Sequence, residues 1–421
     1  MNQKQLLRDR IMSEYKGMFR QPGGYCKYPY IAPGSKQYNT QLWDWDSWWS
    51  DVAVRQIIEE EGNKKAGKEV FEYEKGCVLN FLEHCTWRGW MPIMIYGNGP
   101  IREEAPPMPE NIYGDNQHKP VINQHVAFLI QQTGEAEWIR EKYFYLQCLC
   151  NFYKSHQRHP MTGLYFWIND RSIGVDDDPC TWNRPEKSSA SIYLNCLMYK
   201  ELCACAFIGR KLGLEEVASF YQKDADELKE AINTYLWDER DGFYYSADLN
   251  LIDHKEGEAL HAGYYRDYYC LIQRIDVWSG FLGLWAGIAD EKQAERIVQG
   301  KYKNQETFQA AYGIRTLSRL EKMYNVRGSG NPSTWRGPVW GISNYLVFRG
   351  LAEYGYRKEA EELAEKTISL FAQDMQRTGM LHEYYEPDTG YPILNGGFQN
   401  WNYLVMNMMA WLEGKKVIKE F

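Results

Sequence analysis

The chain has 421 residues, 44% of them hydrophobic and 15% aromatic, enough to bury a large core with aromatic side chains to spare. A formal net charge of −8 excludes a nucleic-acid partner, because no basic stripe is available to displace the counterions of a phosphate backbone. The longest apolar runs, such as LVMNMMAWL near the C-terminus, fall short of the roughly 20 residues that span a bilayer, so no membrane association is expected.

Residues 6–19 read as a short amphipathic helix. The N-terminal stretch is charged throughout and has no apolar signal core, so a cytoplasmic location with reduced thiols is expected for the ten cysteines. Cys148 and Cys150, like Cys203 and Cys205, fall in helical patterns where residues two apart do not face one site; they read as packing. Residues 20–40 are rich in Gly, Pro and Tyr without periodicity, and a loop this long inside a compact enzyme reads as an active-site lid. It runs into Trp43-Asp44-Trp45-Asp46-Ser47-Trp48-Trp49, where Asp46 or Ser47 is the expected N-cap of a helix to about residue 61.

A helix over 66–84 leads to an aromatic loop, Arg88-Gly89-Trp90-Met91-Pro92, and residues 97–120 have loop composition. Helices follow over 121–132 and 135–156, with His156 and His159 placed to complement the dipole of the second. Residues 161–178 read as loop with short extended pieces, 188–211 and 214–235 as long helices, and 237–245 as a turn and short strand. Helical patterns resume over 277–287, 291–300, 339–354, 358–374 and 402–412. Roughly a dozen helices, with long loops between alternate pairs, almost no strands, no linker and no repeat, predict a single all-α domain over 1–421. Paired helices in this number suggest a closed ring whose mouth carries the site.

The stretch NPSTWRGPVWGISNYLVFRGL, residues 331–351, opens with loop residues Asn331, Pro332 and Ser333. It then sets Trp335, Arg336 and Trp340 around a Gly337-Pro338 break. Apolar residues take helical spacing from Val339, so the break reads as a helix entry with proline in its first turn. One buried Trp would merely pack a core. Two indoles and a guanidinium at a helix mouth, matched by the cluster at 42–49, offer a sugar ring an apolar face and a hydrogen-bonding fork.

Two acidic segments lie in loops. Asp176-Asp177-Asp178 packs three carboxylates together, which raises the proton affinity of at least one, as a general acid near neutral pH requires. A solvated turn or a metal site are the other readings of such a run. In His382-Glu383-Tyr384-Tyr385-Glu386-Pro387 acids alternate with aromatics, a short extended piece with Glu383 and Tyr385 on one face. Glycoside hydrolysis needs such a pair of carboxyl groups, and a separation of roughly 6.5–9.5 Å leaves room for the water that inverts the anomeric centre. No dinucleotide or phosphate loop, no H-E-x-x-H and no G-x-S-x-G elbow is present.

These residues resemble the catalytic barrel of glycoside hydrolase family 63 and its relatives, family 37 trehalases included. The matching blocks are Trp43-Asp44-Trp45-Asp46-Ser47, YGIRTLSR at 312–319, Trp335-Arg336-Gly337-Pro338-Val339-Trp340 continuing to Asn344-Tyr345-Leu346, and Glu383-Tyr384-Tyr385-Glu386-Pro387 with Gly390. The length is similar to that of the compact bacterial mannosylglycerate and glucosylglycerate hydrolases. The resemblance implies an (α/α)6 barrel and an inverting α-glycosidase of small α-linked glucosides or mannosides, with Asp176 as general acid and Glu383 as general base. Trp43, Trp45, Asp46, Trp90, Trp335, Arg336, Trp340 and Trp401 are the expected sugar-pocket residues. The sequence departs from the family at Asp177 and Asp178, at Trp182, and at Gln117-His118-Lys119-Pro120, where a glutamine and two prolines are usual.

No cofactor or metal is called for, the expected partner is a small carbohydrate, and a homo-oligomer is compatible with the sequence. Two alternatives keep the fold. One is a sugar epimerase or isomerase, whose acid and base would come from histidines such as His118, His261 or His382. The other is a carbohydrate-binding protein without turnover.

Overall fold

The structure, a computed structural model, describes residues 3–62, 64–98, 117–171, 173–251, 266–327 and 333–421. His261, Asn331, Pro332 and most of the 97–120 loop lie outside the described residues. Thirteen helices are present among the described residues: α1 (Gln3–Glu14), α2 (Ser35–Tyr38), α3 (Asp44–Glu61), α4 (Lys64–Glu83), α5 (Ile122–Thr133), α6 (Tyr143–His156), α7 (Ile192–Lys211), α8 (Glu215–Tyr235), α9 (Leu282–Trp285), α10 (Glu291–Ile297), α11 (Gly341–Glu353), α12 (Arg357–Thr378) and α13 (Val405–Leu412).

Their contacts close a ring. Helix α3 meets α5, α5 meets α7, α7 meets α9, α9 meets α11, α11 meets α13, and α13 returns to α3. The intervening helices α4, α8 and α12 pack outside on their partners, with α1 laid on α12, so the expected (α/α)6 barrel is observed. Composition sorts the layers. Inner helices are buried all round: every residue from Ile122 to Ile130 of α5, and from Gly341 to Leu351 of α11, is buried, polar ones included. Outer α8 buries one stripe, Ala218, Tyr221, Asp224, Ala225, Leu228 and Ile232, at helical spacing. Helix α7 is by length and composition apolar enough to cross a membrane, contrary to the sequence expectation that no run is; here it is a stave of the inner ring, buried by its neighbours.

The loops hold more strand than expected. Gln41–Trp43 pairs with Met94–Tyr96, and Val339–Trp340 pairs with Tyr384–Tyr385, which pairs in turn with Pro392–Leu394. Each piece has two or three residues, too short for an alternating pattern to be read. Two expectations are corrected as a result. Val339 and Trp340 are strand, α11 begins at Gly341, and Pro338 precedes the strand instead of sitting in a first helical turn. Helix α3 starts at Asp44, whose carboxylate accepts the Trp45 N–H at 2.7 Å, so Asp46 lies inside the first turn and is not the N-cap. Residues 20–40 are tied down: Ser35 N–H donates to the Gly397 carbonyl at 2.6 Å, and the Gln399 and Asn400 N–H groups donate to the Pro33 carbonyl at 3.1 Å.

Helices α3 and α11 both begin at the aromatic cluster, and their distal parts grip residues 416–421. Glu420 accepts hydrogen bonds from Tyr345 Oη at 2.8 Å, Arg349 Nε at 3.1 Å and Trp285 Nε1 at 3.1 Å, all from inner-ring helices. Burial raises the proton affinity of this carboxylate, but the influences led by the Arg349 charge outweigh it and leave the carboxyl below its ordinary value. Removing one partner of a buried pair strands the other charge. Glu420→Ala should therefore cost about 3 kcal/mol of unfolding free energy, read as a lowered urea midpoint with unchanged slope.

Candidate active site

Aromatic rings from three segments form one stack. Trp335 and Trp340 lie face to face, 4.2 Å between centroids and 11° between planes. Tyr384 continues the stack on Trp340 at 4.7 Å, and Trp278 continues it on Trp335 at 5.5 Å. Trp45, from the first turn of α3, leans on Trp335 at 6.2 Å and on Trp401 at 5.0 Å. Trp43 is half-buried beside them, edge-on to Tyr38 at 6.1 Å. Trp90 does not join the stack. It packs with Ile93, Met94, Tyr96 and Trp43 in a small separate cluster.

The three consecutive aspartates take different tasks. The Asp176 backbone carbonyl accepts the Trp335 N–H at 2.9 Å, and its carboxyl is hydrogen-bonded by the Ser333 hydroxyl. Desolvation raises its proton affinity and the neighbouring Asp177 adds to the effect. Asp177, with φ of 62°, turns the chain; its N–H donates to Asp170 at 3.3 Å and its carboxylate lies 3.9 Å from Arg336 Nε. Asp178 closes the following turn, accepting the Cys180 N–H at 2.9 Å. Asp170, a buried acid not singled out from sequence, takes the Thr181 hydroxyl at 2.8 Å, and burial pushes its carboxyl up to about 8.

Glu383 sits at the start of the Tyr384–Tyr385 strand, its N–H on the Leu394 carbonyl at 3.0 Å. Its side chain accepts from Tyr38 Oη at 3.4 Å and from the Asn395 amide. Burial pushes the Glu383 carboxyl up to about 7 and the charge of Asp176 adds to this, while the Asn395 and Tyr38 donors pull it down. A register shift between Tyr384 and Tyr385 breaks the expected alternation, and the Tyr385 hydroxyl goes to Asp374 of α12 at 2.8 Å. Asp46 is buried, accepts the Asn400 amide, and is pushed well above the carboxylate range by desolvation, with Asp44 and Glu383 contributing.

Arg336 lies over Trp182, its guanidinium carbon 5.1 Å from the ring centroid. Its Nε and Nη2, and the indole N–H groups of Trp335 and Trp401, are buried donors without a hydrogen-bond acceptor among the described residues. The Trp278 indole N–H of the same stack is likewise unpartnered among the described residues, and an unmet buried donor costs about 1–3 kcal/mol, which an oxygen-bearing group reaching it would offset. Of the candidate histidines, the two among the described residues are engaged elsewhere. His118 bonds the Lys119 carbonyl through Nδ1 at 2.6 Å and is pushed down to about 4 by burial, and His382 bonds Asp374 at 2.8 Å. Among the described residues no group of three or more His, Cys, Asp or Glu is placed to hold a metal ion.

Tyr38 and Asn395 escape the sequence reading. Tyr38 lies in the flagged 20–40 loop and Asn395 in the turn signal Asn395-Gly396-Gly397, but neither contact is encoded by spacing along the chain.

Residues 39–402 match the family model of the mannosylglycerate hydrolase MGH1-like glycoside hydrolase domain. The mannosylglycerate hydrolase MGH1 of Selaginella moellendorffii is 24% identical over 91% of this chain and 82% of its own length. The cytosolic neutral trehalase of Kluyveromyces lactis is 26% identical, over 57% of this chain but only 31% of the trehalase. Among solved structures, a GH63 mannosylglycerate hydrolase from Thermus thermophilus in complex with glucose superposes with a TM-score of 0.66 at 19% identity, covering 95% of this chain and 99% of that one. Neutral trehalase from Saccharomyces cerevisiae does so with 0.63 at 15%, covering 95% and 79%. These likenesses show the fold.

The Asn395 amide favours the ionised form of Glu383. Asn395→Ala should raise the titration midpoint of Glu383 from about 7 by roughly one unit, the worth of one hydrogen bond to a charge, followed by carboxyl 13C NMR.

Proposed function

Because the chain belongs to the mannosylglycerate hydrolase MGH1-like glycoside hydrolase family, we propose that it is an inverting α-glycosidase of small α-linked glucosides or mannosides, of disaccharide or glycosylglycerate type. The observation that carries this reading is the pairing of two proton-holding carboxyl groups, Asp176 and Glu383, on separate loops around one indole stack.

Asp176 donates its proton to the glycosidic oxygen as the bond from that oxygen to the anomeric carbon breaks. A water on the opposite face bonds to the same carbon and gives its proton to Glu383, so the configuration inverts. The raised proton affinity of Asp176 suits a group that must arrive protonated, and the Tyr38 and Asn395 donors suit one that must arrive charged. Trp45, Trp335, Trp340 and Trp401 give the sugar its apolar wall, and Arg336 reaches its oxygens. Residues 20–40 serve as the lid over the base, carrying Tyr38 to Glu383.

An activity screen on trehalose, other α-linked disaccharides, and glucosyl- and mannosylglycerate, with anomer-resolved NMR of the first product, should show the β-anomer released first. Asp176→Asn and Glu383→Gln should each lower kcat by about 10²–10⁴-fold on the substrate found. Release of the α-anomer first, or near-normal turnover in either variant, would overturn the assignment.

A further inference from the structure

The least expected buried feature beside the candidate site is an ion pair between Lys119 and Asp44. Lys119 and Asp44 are each 1% exposed, and Lys119 Nζ stands 2.9 and 3.3 Å from the two Asp44 oxygens. The Lys119 backbone N–H donates to the same carboxylate at 2.8 Å and the Trp45 N–H at 2.7 Å, so Asp44 accepts from both an ammonium and two amides. A buried ion pair seldom stabilises a fold more than well-packed apolar residues of the same volume would, so stability alone does not account for this one.

Its surroundings do. The ammonium lies 5.5 Å from the centroid of the Trp45 ring. The lysine stem runs beneath Gly174, two residues before Asp176: a Cβ on Gly174 would stand 2.7 Å from Lys119 Cε and 3.4 Å from Trp45 Cε2. Gly174 has φ of 75°, so the backbone there both requires glycine and lies flat on the lysine. The segment bearing Lys119 is itself fixed, with His118 N–H on the Met91 carbonyl at 2.9 Å and Tyr153 Oη on the His118 carbonyl at 3.1 Å. One rigid contact therefore joins the helix start that carries Trp45 and Asp46 to the loop that carries Asp176.

We propose that Lys119, held by Asp44, is a positioning residue for proton delivery: it buttresses the Gly174 turn and so sets where the Asp176 carboxyl stands relative to the sugar on Trp45. The proposal rests on the reading of Asp176 as general acid, and its test separates the two. An α-glycosyl fluoride loses fluoride as its C–F bond breaks without needing full proton transfer, whereas an alkoxide leaving group needs the proton. A fault confined to proton delivery therefore appears with the glycoside and not with the fluoride.

Turnover is measured on α-glucosyl and α-mannosyl fluoride, and on the unactivated glycoside found in the screen, for wild type, Lys119→Met, the neutral pair Asp44→Asn with Lys119→Met, and Gly174→Ala. The double variant carries no stranded charge and guards against failure of the single one to fold. In folded variants kcat on the glycoside should fall about 30-fold or more with KM changed less than about threefold, while kcat on the fluoride falls less than about threefold. Equal loss on both substrates, or no loss on either, in the folded double variant overturns the proposal. Asp176→Ala runs beside them: full turnover of the unactivated glycoside by that variant would sink the general-acid reading itself, whatever Lys119 does.

Discussion

The site depends on a ladder two residues long. Val339 pairs with Tyr385 and Trp340 with Tyr384, and this join sets the loop bearing Trp335 and Arg336 against the strand that begins at Glu383. Because the Trp335 N–H is bonded to the Asp176 carbonyl, the same join fixes the Asp176 loop relative to Glu383. A slip of one residue would turn Tyr384 off the face of Trp340 and present Tyr385 in its place. So short a ladder has little strength of its own. It is held by packing: Tyr385 is anchored in α12 through Asp374, and Gly337, at φ of 136°, lies so close to the Tyr324 ring that a Cβ would stand 2.4 Å from it.

The barrel supplies what the ladder lacks. The helices α3 and α11 start at the aromatic cluster, and both are buried along most of their length, with Trp45 in the first turn of α3 and Trp340 immediately before α11. Loops meeting there are not left to find their positions. Residues 33–35 bond to 397–400, the Ser333 hydroxyl bonds Asp176, and Asn395 bonds Glu383. Each bond spans tens to hundreds of residues in sequence, or a tight turn in the case of Asn395, and together they hold the carboxyl groups in one geometry, as a proton-transfer reaction demands.

What the sequence could tell follows from the range of each interaction. Apolar periodicity is local, so most of the helices and their order were legible from it, while the closed ring came from their number and the (α/α)6 barrel from the resemblance. Trp45, Trp335, Trp340 and Trp401 share one cluster whereas Trp90 packs in another, because loop composition does not say which aromatic a loop packs on. Val339 and Trp340 fit helical spacing and are strand, since pairing with a distant segment outweighs a preference expressed over two residues. Tyr38, Asn395 and Lys119 were invisible as site residues for the same reason: their partners Glu383 and Asp44 lie 345, 12 and 75 positions away.

Burial alone does not tell the two carboxyl groups of the proposed reaction apart, since desolvation is the largest influence on both and pushes both the same way. Their neighbours differ. Beside Asp176 stands Asp177, turned by its left-handed backbone so that its charge opposes a second one; against this act a single serine hydroxyl and the more distant Lys119. Around Glu383 stand an amide and a phenol, both donors, which favour the charged form. Lys119 would tend to strip the proton from Asp176 were its charge unopposed, and Asp44 binds that charge from both oxygens. The proposed division of labour between acid and base therefore rests on the side chains around each carboxyl and on the loops that bring distant donors to them.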